Sequence, residues 1–434
     1  MSPAEPPRPV TVAVLGGGTV GTQVARLLND SETDLHIRMG TRLKLTQVAV
    51  KDLSKPRDID SALLTDDAMA VATSGVDIVV ELMGGIEPAK SLILAAIAAG
   101  SSVVTANKAL LASDGASLYA AAEAEGVDIF FEASVAGAIP LVRVLQESLA
   151  GDHITKVMGI VNGTTNYILT KMDEDGASFS DALAEAQALG YAEADPTADV
   201  EGHDAASKAA ILAELAFHTH VTREDVYCEG ITGVSVEDIR AAKNMGCVIK
   251  LLAIAERKAD DSGVIVRVHP TMVPKEHPLA SVRDAFNAIF VEAEAAGELM
   301  FYGRGAGGAP TASAVLGDVV VAARNRLTGS VGWGESADVQ YPVLPISEAL
   351  TCYYVNIDVI DRPGALASIA QAFSESGVSI QVVRQDGHGD RASLIVRTHR
   401  STDGALQATV NRLRKLSTVK AVVGVMRVEG EAGA

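Results

Sequence analysis

The sequence predicts an α/β protein that combines a doubly wound parallel sheet of Rossmann type, an α+β second domain and a C-terminal βαββαβ domain. Three observations lead to this prediction. An apolar strand near the N-terminus runs directly into a glycine-rich turn and an amphipathic helix. Apolar strands and helices then alternate up to residue 140, and after residue 350 the order becomes strand, helix, two strands, helix and strand. The 434 residues, 48% of them hydrophobic, suffice for two or three domains with their own cores.

The first predicted strand, Val10–Leu15, is followed by the turn Gly16-Gly17-Gly18-Thr19-Val20-Gly21 and a helix through Leu28. This is the G-x-G-x-x-G fingerprint in the strand, turn and helix context that a dinucleotide site requires. Glycines permit the tight turn, and the helix N-terminus offers free N–H donors to a pyrophosphate. The alternative is a glycine-rich turn without a ligand. The candidate cofactor-binding residues are Gly16, Gly18, Thr19, Val20 and Gly21.

The residues after the second predicted strand bear on the choice of dinucleotide. This strand covers 45–50 and leads into Lys51 and Asp52, with Arg57 close behind. An acid at this point typically holds the ribose hydroxyls of NAD, whereas a cation accommodates the additional phosphate of NADP. Asp52 suits the first role, and Lys51 or Arg57 suits the second. We therefore expect NADP(H) to be favoured, with NAD(H) as the alternative.

Further βα units complete the first domain. Strands are predicted at 76–82, 102–105 and 128–133, with a helix at 92–99. Lys108 follows the strand at 102–105, at the carboxyl end where ligands bind in open parallel sheets. Lys108 is therefore a candidate for binding or catalysis, and the alternative is a solvated loop cation.

The segment Gly190–Lys208, GYAEADPTADVEGHDAASK, is the richest in candidate catalytic residues. Its acids and its lysine are predicted to lie at the start of one helix, where Glu201, Asp204 and Lys208 continue into an apolar stripe. We expect Asp204 and Lys208 to be partly buried. Burying two charges costs several kcal/mol unless the pair is well satisfied, which favours a chemical role. The alternative is an ordinary stabilising i, i+4 pair.

Composition argues against several classes of function. A formal net charge of −19 disfavours general binding to nucleic acid or to an anionic membrane, because both need a basic surface. Cys228, Cys247 and Cys352 form no CxxC pair, so neither a disulfide framework nor a zinc site is expected. The N-terminus lacks the apolar core of a signal peptide, and the sequence has no apolar run of membrane-spanning length. We expect a cytoplasmic protein.

The C-terminal part is predicted to be a separate βαββαβ domain of ferredoxin-like type. Its first helix is expected to end at Ser376 and to be capped by Asp361, which opens the turn Asp361-Arg362-Pro363-Gly364. The strands are expected at 353–359, 378–383, 392–398 and 419–428.

Five motifs resemble homoserine dehydrogenase, and together they span nearly the whole chain. The resemblance implies reversible NAD(P)-dependent interconversion of L-homoserine and L-aspartate 4-semialdehyde, within the pathway to threonine, methionine and isoleucine. It also implies a cytoplasmic homodimer or homotetramer. The motifs are GGGTVG from Gly16, TANKALL around Lys108, FEASVAGAIP around Glu132, GIVNGTTNYIL around Asn162 and GYAEADPTADVEGHDAASK from Gly190.

The roles known in the family are implied at the positions that match its motifs. Lys208 matches the lysine regarded as proton donor to the carbonyl oxygen, and Lys108 matches a second lysine, so the choice of acid stays open between them. Glu193 and Asp204 match carboxylates that hold the amino group and hydroxyl of homoserine. An ammonium near the aldehyde oxygen can stabilise the alkoxide left by hydride delivery and supply its proton. Additional substrate contacts are expected from Tyr191, Asp199 and Thr164, and additional cofactor contacts from Gly190, Gly305 and Gly307.

The segment FEASVAGAIP resembles the monovalent-cation site of the family. The resemblance makes Glu132 and the carbonyls of Val135, Gly137 and Ile139 ligands of sodium or another hard ion, and oxygen ligands suit such ions. From the residues alone, the alternative is that Glu132 caps a helix beginning near Pro140.

The turn D-x-P-G-x-L from Asp361 resembles an ACT regulatory domain, for which threonine, the pathway product, is the expected effector. The dinucleotide-binding domain is expected at 1–140, joined by the glycine-rich turn and helix at 303–330. The substrate-binding and dimerisation domain is expected at 141–345, and the ACT domain at 350–430.

Two other functions compete with this interpretation. A semialdehyde oxidoreductase that forms a thioester would need a nucleophilic cysteine with a histidine partner, and none of the three cysteines stands at a recognisable nucleophile position. A non-catalytic amino-acid sensor would have no reason to retain Glu193, Asp204 and Lys208 together. Fusion to an aspartate kinase is not expected, because nine residues precede the first strand.

Overall fold

The computed structural model describes residues 8–30, 32–332, 341–388 and 391–430. The chain divides into two compact units. Unit 1 comprises residues 1–154, 210–223 and 293–340, and unit 2 comprises residues 155–209, 224–292 and 341–434. The domain boundaries expected from the sequence stay predictions.

Helices and strands both occur along the whole length of the described chain. The helices are α1 (Thr19–Asp30), α2 (Glu32–Met39), α3 (Ala68–Ala72), α4 (Ala89–Ala98), α5 (Lys108–Glu125), α6 (Gly163–Glu174), α7 (Phe179–Ala188), α8 (Thr197–Val200), α9 (His203–Phe217), α10 (Val236–Asn244), α11 (Gly308–Thr328), α12 (Ala365–Glu375) and α13 (Asp403–Leu413). The strands are β1 (Val10–Leu15), β2 (Leu43–Ala49), β3 (Leu64–Thr65), β4 (Ile78–Glu81), β5 (Ser102–Thr105), β6 (Ile129–Phe130), β7 (Ile154–Ile160), β8 (Tyr227–Cys228), β9 (Cys247–Arg257), β10 (Val264–Pro274), β11 (Phe286–Ala293), β12 (Gly297–Arg304), β13 (Leu350–Ile360), β14 (Ile380–His388), β15 (Arg391–Thr398), β16 (Ser401–Thr402) and β17 (Val419–Val428).

Unit 1 is built on a parallel sheet in the order β3-β2-β1-β4-β5-β6. This is the doubly wound order, with the topological switch between β1 and β4, and it confirms the predicted Rossmann-type fold. Val12 and Val14 of β1 pack in the layer that contains α1 and α11. Ala13 and Leu15 pack in the opposite layer, with α3, α4 and α5. Because both faces are covered, β1 is apolar except at Thr11, and such a nearly continuous apolar run is recognisable in a sequence.

Unit 2 contains a mixed sheet, in which the strand order runs β11-β7-β9-β10-β17-β13-β15-β14. β9 and β10 form a long antiparallel pair, and β8 pairs with β10. The last four strands of this order belong to the predicted C-terminal domain.

The C-terminal βαββαβ order is confirmed by β13, α12, β14, β15, α13 and β17. These elements enclose a core of their own that includes Tyr353, Phe373 and Leu406. The expectation that Asp361 caps α12 is wrong. Gly364, with φ +88°, stands at the helix N-terminus instead, while the exposed Asp361 carboxylate accepts a hydrogen bond of 3.4 Å from Gln385.

One predicted strand of unit 1 is shorter than expected. The segment 128–133 is extended only at β6, and Glu132–Ser134 forms a 3₁₀ turn. The Glu132 side chain accepts hydrogen bonds from backbone N–H groups of residues 141–143, which connects this turn to the segment that follows it. None of the helices in the described part of the chain combines the length and hydropathy needed to cross a bilayer.

Candidate functional site

The glycine turn after β1 is shaped by close backbone packing. Gly16 adopts φ +112°, which side-chain-bearing residues rarely reach. A Cβ atom on Gly17 would lie 2.6 Å from Val50 Cγ1, and one on Gly21 would lie 1.8 Å from the Gly16 carbonyl oxygen. A Cβ on Gly18, in contrast, would meet no protein atom within 4 Å in the described structure. Gly16, Gly17 and Gly21 are therefore required by the turn itself, and Gly18 leaves backbone open to a ligand.

Two helix N-termini converge beside this turn. Thr19 and Val20 begin α1, and Gly307, with φ +117°, precedes α11. A Cβ on Gly308 would lie 2.9 Å from Thr19 Cγ2, so the first turns of α1 and α11 are in contact. Both N-termini carry free N–H donors and a partial positive charge, which suits a pyrophosphate.

The loop of Gly137 lies directly against Gly305. A Cβ on Gly137 would lie 2.4 Å from the Gly305 carbonyl carbon, and the N–H of Ala138 donates to the Arg304 carbonyl at 3.1 Å. Gly305 therefore occupies a place where two backbone segments touch.

Arg57 is fixed beside the glycine turn. Its Nε donates to the Gly17 carbonyl at 3.0 Å, and its Nη1 donates to the Asp52 carbonyl at 2.7 Å. The Asp52 carboxylate accepts hydrogen bonds from the Ser54 hydroxyl at 2.6 Å and from the Ser54 N–H at 2.9 Å, and these bonds lower its pKa. Lys51 is exposed. Of the two predicted cations, Arg57 is thus the one with a defined position.

Glu81 at the end of β4 is a buried acid that the sequence analysis missed. It is fully buried, and its Oε1 accepts N–H bonds from Met83 at 2.7 Å and Gly84 at 3.1 Å. Its Oε2 accepts a bond from the Thr105 hydroxyl at 2.7 Å, at the end of β5. The available signal was a carboxylate closing an otherwise apolar strand. Glu81 fixes the loop at the carboxyl end of the sheet, where cofactors bind in this fold.

Lys108 is the first residue of α5 and is half-buried, so it lies just beyond the expected strand end. Asn107 caps the helix through a 3.2 Å bond from the Leu110 N–H, and its amide donates to the Gly85 carbonyl at 2.7 Å. The loops after β4 and β5 are therefore joined at the base of Lys108.

Lys208 and Asp204 form a buried ion pair in unit 2. Lys208 Nζ lies 2.8 Å from Asp204 Oδ2, and the side chains are 10% and 9% exposed. Nζ also donates to the Val161 carbonyl at 2.6 Å. The expected partial burial of this pair is confirmed. The alternative, an ordinary i, i+4 pair on the exposed surface of a helix, does not agree with this burial.

Asn162 connects the acids of this cluster and was not among the candidate residues. Its Nδ2 donates to Asp199 Oδ1 at 2.6 Å and to Asp204 Oδ2 at 3.0 Å. Its Oδ1 accepts the Thr165 N–H at 2.9 Å, which makes it the N-cap of α6. Its place in the motif GIVNGTTNYIL was the signal that could have identified it. The structure thus brings Asp199, Asp204 and Lys208 together.

The prediction of a single helix over this acidic segment is wrong. Gly202, with φ +81°, separates α8 from α9, so Glu201 lies outside the helix that carries Asp204 and Lys208. A left-handed glycine ends one helix and lets the next begin in a new direction.

Of the remaining predicted substrate residues, Thr164 lies on α6, and Tyr191 and Glu193 lie on the segment before α8. The Thr164 hydroxyl donates to the Tyr191 carbonyl at 2.7 Å, next to Gly190 with φ +76°. Tyr191 is 41% exposed, and its ring contacts that of Tyr167 in a tilted arrangement, with 5.1 Å between centroids and 54° between planes. Glu193 is exposed.

Glu132 acts as a helix cap in unit 1. It is 2% exposed, and its carboxylate accepts N–H bonds from Leu141, Val142 and Arg143, at the start of the turn that continues into a π-helix at Val144–Ser148. The Arg143 Nε lies 3.2 Å from the same carboxylate. Asp318 on α11 accepts the Glu132 N–H at 2.8 Å, and burial raises the pKa of Asp318 to about 7.

These contacts fit the capping interpretation of Glu132 and do not fit a cation held by its carboxylate, because N–H donors occupy both oxygens. Within the described residues, no group of three or more histidine, cysteine, aspartate or glutamate side chains has the arrangement of a metal site. A cation bound by the carbonyls of Val135, Gly137 and Ile139 stays a prediction that rests on the resemblance alone.

The fold and these residues define a class of protein. A doubly wound sheet with a glycine turn at its switch point is typical of nicotinamide dinucleotide-dependent oxidoreductases. Sequence models of known families narrow the class. The model described as "Homoserine dehydrogenase, NAD binding domain" matches residues 16–132, the one described as "Homoserine dehydrogenase" matches 140–320, and the one described as "ACT domain" matches 353–418.

Individual relatives agree with the family models. Homoserine dehydrogenase of Corynebacterium glutamicum is 57% identical over 425 residues, which cover 97% of this chain and 96% of that protein. The crystal structure of a homoserine dehydrogenase from Thiobacillus denitrificans superposes with a TM-score of 0.90 at 40% identity, covering 97% of this chain and 98% of that one. A hyperthermophilic archaeal homoserine dehydrogenase in complex with NADPH has a TM-score of 0.62 at 28% identity, covering 73% and 98%.

The chain belongs to the homoserine dehydrogenase family. It is an NAD(P)-dependent oxidoreductase that acts on a CH–OH group, and it carries a C-terminal ACT domain.

Proposed function

We propose that the protein interconverts L-homoserine and L-aspartate 4-semialdehyde with NADP(H) as the preferred cofactor, and that Lys208 exchanges the proton of the reacting oxygen. The observation that carries this proposal is the buried Lys208, held within hydrogen-bond distance of Asp204 and of the Val161 carbonyl. An ammonium fixed in this way needs little reorganisation to stabilise an alkoxide.

The lysine acts from a defined position in this mechanism. The nicotinamide supplies or accepts the hydride when it is bound. An ammonium carries three N–H donors. Two of them face Asp204 and the Val161 carbonyl, and we assign the third to the substrate oxygen. In the reductive direction Lys208 gives that oxygen a proton, and in the oxidative direction it receives one.

The carboxylates bind the polar groups of the substrate. We assign Asp199 and Asp204 to the amino group and hydroxyl of homoserine, together with Glu193 and Tyr191 from the preceding segment and Thr164 from α6. Asp204 is supported by its contact with Lys208, and Asp199 is supported by the Asn162 amide that it shares with Asp204. Glu193 rests on its place in the family motif. Lys108 is assigned to the cofactor side as the second lysine.

The preference for NADP is supported by the cations after β2. Arg57 is held at the glycine turn by bonds to the Gly17 and Asp52 carbonyls, and Lys51 stands exposed in the same loop. The archaeal relative described above is in complex with NADPH. We assign Gly190, Gly305 and Gly307 to the remaining cofactor contacts, and we propose a homo-oligomer in the cytoplasm.

The ACT domain suggests feedback regulation by an amino acid, and we propose threonine. A pocket of about 540 Å³ lies next to the turn at 361–364 and to Gln385. Threonine added to the assay of the full chain should inhibit it, and Asp361→Ala should weaken that inhibition. Equal inhibition of both proteins would place the effector elsewhere.

The reaction is tested by measuring homoserine-dependent reduction of NADP and NAD. Lys208→Ala should lower kcat by about 10²–10⁴, the range expected for loss of an acid–base group. Ser178→Ala, which removes the N-cap of α7, is the control and should keep full activity. A folded parent protein without activity with either cofactor would contradict the proposal and favour the amino-acid sensor.

A further inference from the structure

Asn162 lies between the last residue of β7 and the first residue of α6, and it contacts both acids of the cluster. We infer that Asn162 is a positioning residue, which sets the separation and orientation of Asp199 and Asp204 for substrate. This inference rests on the proposed function, because that function gives the two carboxylates their task.

The orientation of the Asn162 amide follows from its partners. Its Oδ1 accepts the Thr165 N–H at 2.9 Å and the Thr165 hydroxyl at 3.0 Å. A backbone N–H can only donate, so the oxygen of the amide must lie on this side and the NH₂ group on the other. Asn162 is 5% exposed, and its side chain is thus held in one orientation.

The two hydrogens of the NH₂ group match two separate acceptors. Nδ2 lies 2.6 Å from Asp199 Oδ1 and 3.0 Å from Asp204 Oδ2. A neutral group with two diverging donors can hold two carboxylates at once without adding charge. A serine hydroxyl has one donor, and an ionised aspartate has none.

The same short stretch of backbone also fixes the lysine. Asp204 Oδ2 accepts from Asn162 at 3.0 Å and lies 2.8 Å from Lys208 Nζ. Lys208 donates to the carbonyl of Val161, whose carbon is bonded to the Asn162 nitrogen. The Val161–Asn162 peptide therefore places the ammonium through its carbonyl, and the Asn162 side chain places both acids.

If Asn162 had a purely structural role, that role would be to cap the N-terminus of α6. Aspartate and serine are also good N-caps, because each offers an oxygen to the N–H three residues on. Asn162→Asp and Asn162→Ser therefore keep the cap and remove the pair of donors. Ser178→Ala is the matched control, since it removes the N-cap of α7 and leaves the acidic cluster unchanged.

The experiment measures steady-state kinetics and thermal unfolding of the full chain for these variants. Hydrogen bonds to charged groups contribute about 1.5–3 kcal/mol, so we expect kcat/KM for homoserine to fall about 10- to 100-fold in both Asn162 variants. The fall should be larger for Asn162→Asp, which adds a third carboxylate. KM for NADP should stay near that of the parent in both variants, and the unfolding temperature should stay near it in Asn162→Ser, which adds no charge.

Activity of both Asn162 variants within twofold of the parent would overturn the inference and leave Asn162 as a cap. An inactive parent would instead contradict the proposed function. Crystal structures decide the inference independently of activity: Asp199 and Asp204 should be displaced in Asn162→Ser, and unchanged carboxylate positions would refute it.

Discussion

The glycine turn of unit 1 and the lysine–carboxylate cluster of unit 2 are built in opposite ways. The turn consists of backbone, and its function requires that side chains be absent at Gly16, Gly17 and Gly21. The cluster consists of the charged side chains of Asp199, Asp204 and Lys208, which are held by the Asn162 side chain and the Val161 carbonyl, 37 to 47 residues away in sequence. A cofactor site built from backbone can therefore be specified by local sequence, whereas a site made of buried charges needs hydrogen-bonding groups from residues far away in the sequence.

The strongest test of this contrast is Gly21→Ala. The new Cβ would lie 1.8 Å from the Gly16 carbonyl oxygen, so the turn must open. We expect loss of nicotinamide cofactor binding by at least 100-fold, or loss of folding, because backbone offers no room to relax. Gly18→Ala is the control, since its Cβ meets open space, and it should fold normally. Calorimetric titration with NADPH and circular dichroism check both variants, and normal binding by Gly21→Ala would refute the steric argument.

On the side of the charged cluster, Asp204→Asn should act on stability and catalysis together. It leaves the buried Lys208 without its counter-charge, and breaking a buried ion pair costs about 3 kcal/mol. We expect kcat/KM for homoserine to fall by about 10²–10³ and NADPH affinity to stay unchanged. Urea unfolding and steady-state kinetics measure the two effects. Unchanged stability would mean that the pair is solvated.

Lys250 gives a pH-dependent test near the same cluster. This lysine donates to Asn166 on α6, the helix that Asn162 caps, and burial lowers its pKa from 10.5 to about 8. Between pH 8 and 10.5 the unfolded chain binds a proton that the folded chain does not, so this group makes stability rise with pH, by about 3 kcal/mol in all. Lys250→Met should lose this rise. Urea unfolding of parent and variant at pH 7.5 and pH 10 measures the difference, and identical pH dependence would contradict it.

The smallest expected effect concerns the exposed loop after β2. Lys51→Glu places a negative charge where the proposal puts the additional phosphate of NADP, so KM should rise about 10-fold for NADP and little for NAD. Lys415→Glu, which makes the same change of charge at an exposed position of the C-terminal domain, is the control for bulk electrostatics and should leave both KM values unchanged. Equal effects on the two cofactors would remove Lys51 from the assignment.

Three positions show what short-range sequence patterns leave undecided. Glu132 could cap a helix or bind an ion, and the choice depends on where the N–H groups of residues 141–143 lie. Asp361 precedes α12 as a cap would, but Gly364 reaches the helix N-terminus first. Gly202 interrupts a helical pattern that was continuous in the sequence.

The sequence by itself determined the Rossmann-type fold, the C-terminal βαββαβ order and the burial of Asp204 with Lys208. These features depend on short-range patterns: apolar strands, glycines that a turn requires, and charges at helical spacing. Only the tertiary structure decided that Glu81 is buried at the end of β4, that Glu132 is a cap and that Asn162 joins Asp199 to Asp204. Hydrogen bonds between residues far apart in sequence depend on where the folded backbone places the donor and the acceptor. Local sequence patterns do not determine the distance between those two groups.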